Sequence, residues 1–193
     1  MHSSIKSAYD LSASLNKALE GIDVENQDSL LFPALFHSTV IEHHRSVILL
    51  VEKKLYCSAS TLLRPLFEAY VKGLWFSKCA SDKDFNKLRD DKFQKPFSGL
   101  VSDIEKVSPL GLAKQKQDYW KTLNSLTHTG TAQLSRKLSG ENITNGHDSE
   151  FIKQVLNFSS NYALLACGEL TAISKNTTSQ ASFLSVAKEW HEL

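Results

Sequence analysis

Apolar residues recur at steps of three and four along almost the whole of this chain. That spacing puts them on one face of an α-helix. Strict alternation, the mark of a half-buried strand, is nearly absent, and 4 prolines and 8 glycines leave few breaks in 193 residues. The reading is an all-α protein, a bundle of five to seven helices. The length suits a single domain over 1–193 and would cramp a second. A chain of this size buries roughly 70% of its unfolded surface, enough for a core without staples.

The first helix is expected from Ser4 to Leu19, with Ile5, Ala8, Leu11, Leu15 and Leu19 on one face and Gly21 ending it. The second starts at Asp28 or Ser29 and runs to Lys54. Its stripe of Leu30, Ala34, His37, Ile41, His44, Ile48, Val51 and Leu55 steps by fours and threes, a bundle seam. A third helix is expected over Ser58 to Cys79, kinked by Pro65. The short link between the second and third makes them antiparallel neighbours. Ser81 to Pro96 mixes charges of both signs and reads as a solvated helix and loop. Further helices are expected over Phe97–Val107, Leu112–Leu126 and Ser149–Lys175, with a terminal one from Thr178 or Ser179. A turn over Ala132–Leu138 and a loop over Ser139–Asp148 complete the chain.

Two polar islands interrupt these apolar patterns. One is Leu62-Leu63-Arg64-Pro65-Leu66-Phe67-Glu68-Ala69-Tyr70; the other is Trp120-x-x-x-Asn124-x-x-x-His128-Thr129-Gly130. Arg64 and Glu68 can pair along one helix, and charges in an apolar run are costly without partners. They are expected to be mostly buried, in reach of each other or of His128, Asn124 or the Glu42–Arg45 segment. Structurally, such a pair ties a kinked helix to its neighbour. Functionally, it is an arginine aimed at a phosphate or carboxylate and held by a glutamate. His128 closes a helix, where the dipole favours it; it is also the usual acid or base near neutral pH. A third polar set, Glu42, His44 and Arg45, shares the second helix with His37. Glu42 and Arg45 lie on the row Leu31, Leu35, Ser38, Glu42, Arg45, Leu49, beside the seam that carries the histidines. The candidate site is therefore Arg64, Glu68 and His128, with Glu42, His44, Arg45, Asn124 and Trp120 around it.

Net charge is +1, which offers no global steering toward nucleic acid or membrane. Cys57, Cys79 and Cys167 are far apart and lie in apolar helical patterns, as reduced core thiols do. There is no signal peptide pattern and no apolar run long enough to span a membrane, so the cytoplasm is the expected compartment. The phosphate-binding loops GxGxxG and GxxxxGK[ST] are absent, as are the nucleophile elbow, HExxH and Cys/His metal spacings. No cofactor is expected. A metal enzyme using His37, Glu42, His44 and His128 is a third-ranked reading.

The run Glu42-His43-His44-Arg45-Ser46-Val47, Leu55-Tyr56-Cys57-Ser58-Ala59 and Leu62-Leu63-Arg64-Pro65-Leu66-Phe67-Glu68-Ala69, followed by Trp120 and Leu126-Thr127-His128-Thr129-Gly130, resembles a group of uncharacterised bacterial all-helical proteins similar to the HEPN superfamily. The resemblance covers about Leu30 to Leu138. It implies a helical bundle that dimerises. Many superfamily members are metal-independent ribonucleases of toxin–antitoxin or phage-defence systems; others bind or scaffold. Those ribonucleases carry an arginine followed by a histidine across four to six residues. Arg45, Arg64, Arg89 and Arg136 all lack such a histidine, so a nuclease here must assemble Arg64, Glu68 and His128 from different helices.

Two functions stand level: a HEPN-like ribonuclease or toxin effector acting on RNA, and a non-catalytic helical module that binds a cognate protein partner or regulates. Either is expected as a homodimer built on an exposed apolar face of the second or the last long helix.

Overall fold

The computed structural model describes residues 2–139, 141–144 and 147–191. Its helices are α1 His2–Ala18, α2 Asp28–Glu52, α3 Tyr56–Thr61, α4 Leu63–Lys78, α5 Asp82–Arg89, α6 Phe97–Val107, α7 Leu112–Thr127, α8 Thr131–Leu134, α9 Ser149–Ser174 and α10 Thr177–His191. The protein is all-α. Six of these helices have fifteen residues or more. Short α3, α5, α6 and α8 raise the total above the five to seven expected. Among the described residues the only strands are β1 Leu138–Ser139 and β2 Asn142–Ile143, paired antiparallel inside the segment expected to be a loop. Gly140, Asn145 and Gly146 of that segment lie outside the described residues. No helix among the described residues is long and apolar enough to cross a membrane.

The core lies where α2, α4 and α9 meet. Phe36 of α2 stacks on Phe76 of α4 with centroids 5.5 Å apart, and His37 meets Tyr70 at 5.7 Å. The start of α2 thus lies beside the end of α4, while residues 53–62, with α3 among them, join the opposite ends; the two are antiparallel neighbours. Phe67, fully buried on α4, touches Phe97 of α6 and both Phe158 and Tyr162 of α9. α1 lays Ala8, Leu11, Leu15 and Ala18 into the core, against α2, α9 and α10.

Three local rules explain the helix limits. Gln27, in extended backbone, precedes α2, so Asp28 is the first helical residue and not its cap; its carboxylate faces the helix dipole and pairs with Arg89. Ser81 and Asp84 form a capping box that starts α5 in the charged stretch. Asp148 caps α9 by accepting the Phe151 N–H at 2.6 Å. The expected single helix over Ser58–Cys79 is instead two, parted at Leu62. Pro65 becomes the third residue of α4, where no hydrogen bond within α4 needs its missing N–H. The expected kink is a break.

Candidate functional site

The break between α3 and α4 places Arg64 in the first turn of α4. Glu68 lies one turn on, and Arg64 Nε donates to Glu68 Oε1 at 2.9 Å. α7 then passes over this turn. Its residues Trp120, Asn124 and His128 repeat every four and so share a face. The Arg64 guanidinium lies 5.0 Å from the centre of the Trp120 ring, a cation–π contact. Trp120 in turn stacks on Phe97, with centroids 4.1 Å apart and planes 7° from parallel. Arg64 Nη1 lies 2.6 Å from His128 Nε2. Arginine can only donate, so this contact assigns an unprotonated Nε2 and places the imidazole proton on Nδ1.

The pair is part-buried. The Arg64 and Glu68 side chains keep 23% and 27% of their exposure, and His128 is exposed. Trp120 covers the guanidinium on one side, and the other stays open to water. Asn124 lies on the same face of α7 but makes no hydrogen bond to Arg64; its Oδ1 is buried without a partner among the described residues.

The end of α7 fixes His128 through the backbone. His128 N–H bonds the Asn124 carbonyl at 3.0 Å, and Gly130 N–H bonds the Ser125 carbonyl at 2.7 Å. This is a Schellman turn with its left-handed residue at Thr129, φ +54°. A β-branched residue is rare there, so Thr129 is held in strain beside the histidine. A Cβ on Gly130 would lie 2.6 Å from Ser125 Oγ and 3.1 Å from its Cα, so only glycine fits. Ser125 Oγ accepts the Ala132 N–H at 2.9 Å and starts α8.

A hydrogen-bond lacing invisible in the sequence ties α7 to α3. Pro65 cannot serve the Thr61 carbonyl one turn back, and Thr127 Oγ1 donates to it instead, at 3.4 Å. Thr61 Oγ1 donates to the Cys57 carbonyl at 2.9 Å, with the Leu126 carbonyl a second, longer acceptor at 3.3 Å. Gln133 Nε2 reaches the Cys57 carbonyl at 3.2 Å and Thr61 Oγ1 at 3.3 Å. Thr61, Thr127 and Gln133 thus hold the two halves of the site together. Nothing but their polar type in apolar surroundings marked them beforehand.

The third polar set divides. His44 is fully buried and faces α9. Ser159 gives its hydroxyl proton to the Leu156 carbonyl and so accepts from His44 Nδ1 at 3.1 Å. His37 is also fully buried, and neither ring nitrogen has a partner among the described residues. Burial pulls both imidazoles down to about 4, so both are neutral. Glu42 and Arg45 lie on the opposite, exposed face of α2. His37, Glu42 and His44 therefore do not converge on one point, and neither His44 nor the Glu42–Arg45 segment joins Arg64. Cys167 is a buried thiol, pushed up to about 12 by desolvation; Cys57 and Cys79 are half-buried.

The geometry defines a helical protein with an arginine clamped between a carboxylate, an indole and an imidazole at the junction of α3, α4 and α7. The chain belongs to a family of unknown function, DUF6988, whose model matches residues 37–193. That span holds every residue of the cluster and leaves out α1. No curated protein and no solved structure matches the chain.

Proposed function

We infer that this is a HEPN-like helical protein of bacteria that cleaves RNA without a metal ion, as the effector of a toxin–antitoxin or phage-defence system in the cytoplasm. The observation that supports the reading is the Arg64–His128 contact of 2.6 Å between side chains 64 residues apart. It supplies through the fold the arginine–histidine adjacency that the superfamily's ribonucleases hold within one short segment.

In this reading a phosphodiester displaces His128 and Glu68 from part of the guanidinium. Arg64 then bonds two phosphate oxygens and stabilises their growing negative charge. His128 Nε2, released, takes the proton of the adjacent 2′-hydroxyl. The 2′ oxygen bonds to phosphorus as the bond to the 5′ oxygen breaks. That oxygen picks up a proton from water, leaving a 2′,3′-cyclic phosphate and a 5′-hydroxyl. Trp120, stacked on Phe97, holds the guanidinium in place beside the scissile phosphate.

The test is cleavage of single-stranded RNA by the purified chain in the presence of a chelator. His128→Ala and Arg64→Ala are each expected to lower the rate by roughly 10²-fold or more, with an unchanged helical signal. An inactive wild type, or a folded His128→Ala as active as wild type, refutes catalysis. The second reading, a non-catalytic dimeric module that binds or regulates a protein partner, draws on the near-zero net charge and on the unspent apolar face of α2.

A further inference from the structure

Cys57 is the second residue of α3, and its backbone is clamped. Its carbonyl accepts the hydroxyls of Ser60 and Thr61 at 3.0 and 2.9 Å and the Gln133 amide at 3.2 Å. The thiol is half-buried, and its Sγ lies 3.7 Å from Nε2 of His147, 90 residues further along the chain. His147 immediately precedes Asp148, the cap of α9. Its ring packs against two others, with centroids 5.3 Å from Tyr56 and 5.5 Å from Phe151. Tyr56 adjoins Cys57 in α3, and the Asp148 cap holds the Phe151 N–H. A helix thus places the thiol, and two aromatic rings place the base. An imidazole at this distance can take a thiol proton and leave the thiolate, the nucleophilic form. Among the described residues, neither Cys79 nor Cys167 makes a hydrogen bond to an imidazole. Burial pushes the Cys79 thiol up and the Cys167 thiol up to about 12, which keeps both in the unreactive thiol form.

We propose that Cys57 is a site of reversible oxidation by a hydroperoxide, with His147 as its base. His147 Nε2 takes the thiol proton, and the thiolate sulfur attacks one peroxide oxygen. The S–O bond forms as the O–O bond breaks. The departing oxygen keeps the O–O electron pair and recovers the proton from the imidazolium. Hydrogen peroxide leaves as water, and Cys57 becomes a sulfenic acid. Sulfur loses two electrons and the peroxide gains them, so no third reagent is needed. A peroxide suits a half-buried thiol beside two packed rings, because only a small reagent has to reach the sulfur. The product cannot close a disulfide within the chain. Cys79 follows the end of α4 far from α3, and α4 is about 24 Å long. Cys167 lies about 27 Å along α9 from the end that adjoins His147. Bridged cysteines have Cα atoms within about 7 Å of each other. The sulfenic acid is therefore reversed from outside: a small thiol condenses with it, losing water, and a second thiol frees Cys57 from the mixed disulfide. The pair is separate from the Arg64–His128 cluster, and the proposal is independent of the nuclease reading.

The full chain, treated with hydrogen peroxide at pH 7 and then with a 1,3-dione that traps sulfenic acid, tests this, with the labelled cysteine mapped by mass spectrometry. Cys57 is expected to label roughly tenfold or more faster than Cys79, and Cys167 not at all while the chain is folded. Glutathione added before the trap is expected to erase the label. His147→Gln is expected to slow Cys57 roughly tenfold or more at pH 7, with an unchanged helical signal by circular dichroism. At pH 10 hydroxide removes the proton from any accessible thiol, and there the variant is expected to match the wild type. His147→Ala, which widens access to the sulfur, is expected to show the same two rates. Cys57 labelled no faster than Cys79 overturns the proposal, whatever the variants do. So does a label that glutathione leaves in place, or a folded variant as fast as wild type at pH 7. A variant still slow at pH 10 overturns it too, because His147 would then act by packing alone.

Discussion

Replacing His37 by leucine is expected to flatten the acid sensitivity of this protein and to strengthen it at neutral pH. The His37 ring lies flush against the backbone of α4: a Cβ on Gly73 would come within 2.7 Å of its Cε1 and Nε2. The ring is fully buried, and neither nitrogen has a partner among the described residues. A buried polar atom left unpaired costs about 1–3 kcal/mol, and leucine fills a similar volume without one. The pH term has a definite sign. Burial lowers the folded-state value from 6.5 to about 4, so the native protein binds fewer protons than the unfolded chain between those limits. Stability is at its full value above pH 6.5 and falls as the pH drops toward 4. Between pH 8 and pH 5 the loss is about 2 kcal/mol for one such histidine. His44 has the same cause and the same limits, so the two together remove about 4 kcal/mol over that interval. Urea denaturation of wild type and His37→Leu at pH 8 and pH 5 measures both effects. The variant should lose about 2 kcal/mol less than wild type on acidification and should be no weaker at pH 8. An unchanged pH dependence refutes the neutral-imidazole account. A loss above about 2 kcal/mol at pH 8 would show that His37 has a polar partner in solution.

The turn after α7 yields two opposite outcomes. Gly130→Ala forces a Cβ against Ser125 and is expected to cost about 1–3 kcal/mol by thermal melting, whereas Thr129→Gly relieves the left-handed strain at φ +54° and should gain about 1 kcal/mol. Arg64→Ala should cost only about 1–2 kcal/mol, combining a part-buried ion pair still in contact with water and the lost contact on Trp120; a loss of about 3–5 kcal/mol in urea denaturation would mean the pair is fully desolvated in solution. Gln133→Leu removes two of the bonds lacing α8 to α3 and is expected to lower stability by about 1–3 kcal/mol, with faster amide exchange in residues 126–134 as the readout.

Much of this architecture is local and therefore legible in the chain. The limits of α6 and the start of α7 match the periodicity, because apolar spacing and breaking residues act over a few positions. The antiparallel pairing of α2 with α4 follows from a connection of only residues 53–62, α3 included, and from apolar stripes on both helices. The meeting of Arg64 with Glu68 is likewise a matter of one helical turn. The same locality misled at Pro65: a residue pattern marks where a helix is disturbed, but whether it bends or breaks depends on what receives the freed Thr61 carbonyl. Thr127, 66 residues away, supplies that partner.

Tertiary structure alone decided which polar residues share a site. His44 and Arg45 are adjacent in the chain, yet one is sealed against Ser159 and the other faces water. Helical geometry turns each residue about 100° from the last, and a neighbouring helix covers only one side. Arg64 and His128 are far apart in the chain and touch because α7 crosses the first turn of α4. The period of a sequence states which face of each helix is apolar. Which helix will cover that face, and whether any does, depends on long-range packing, and so the seam of α2 and the row beside it came to different ends.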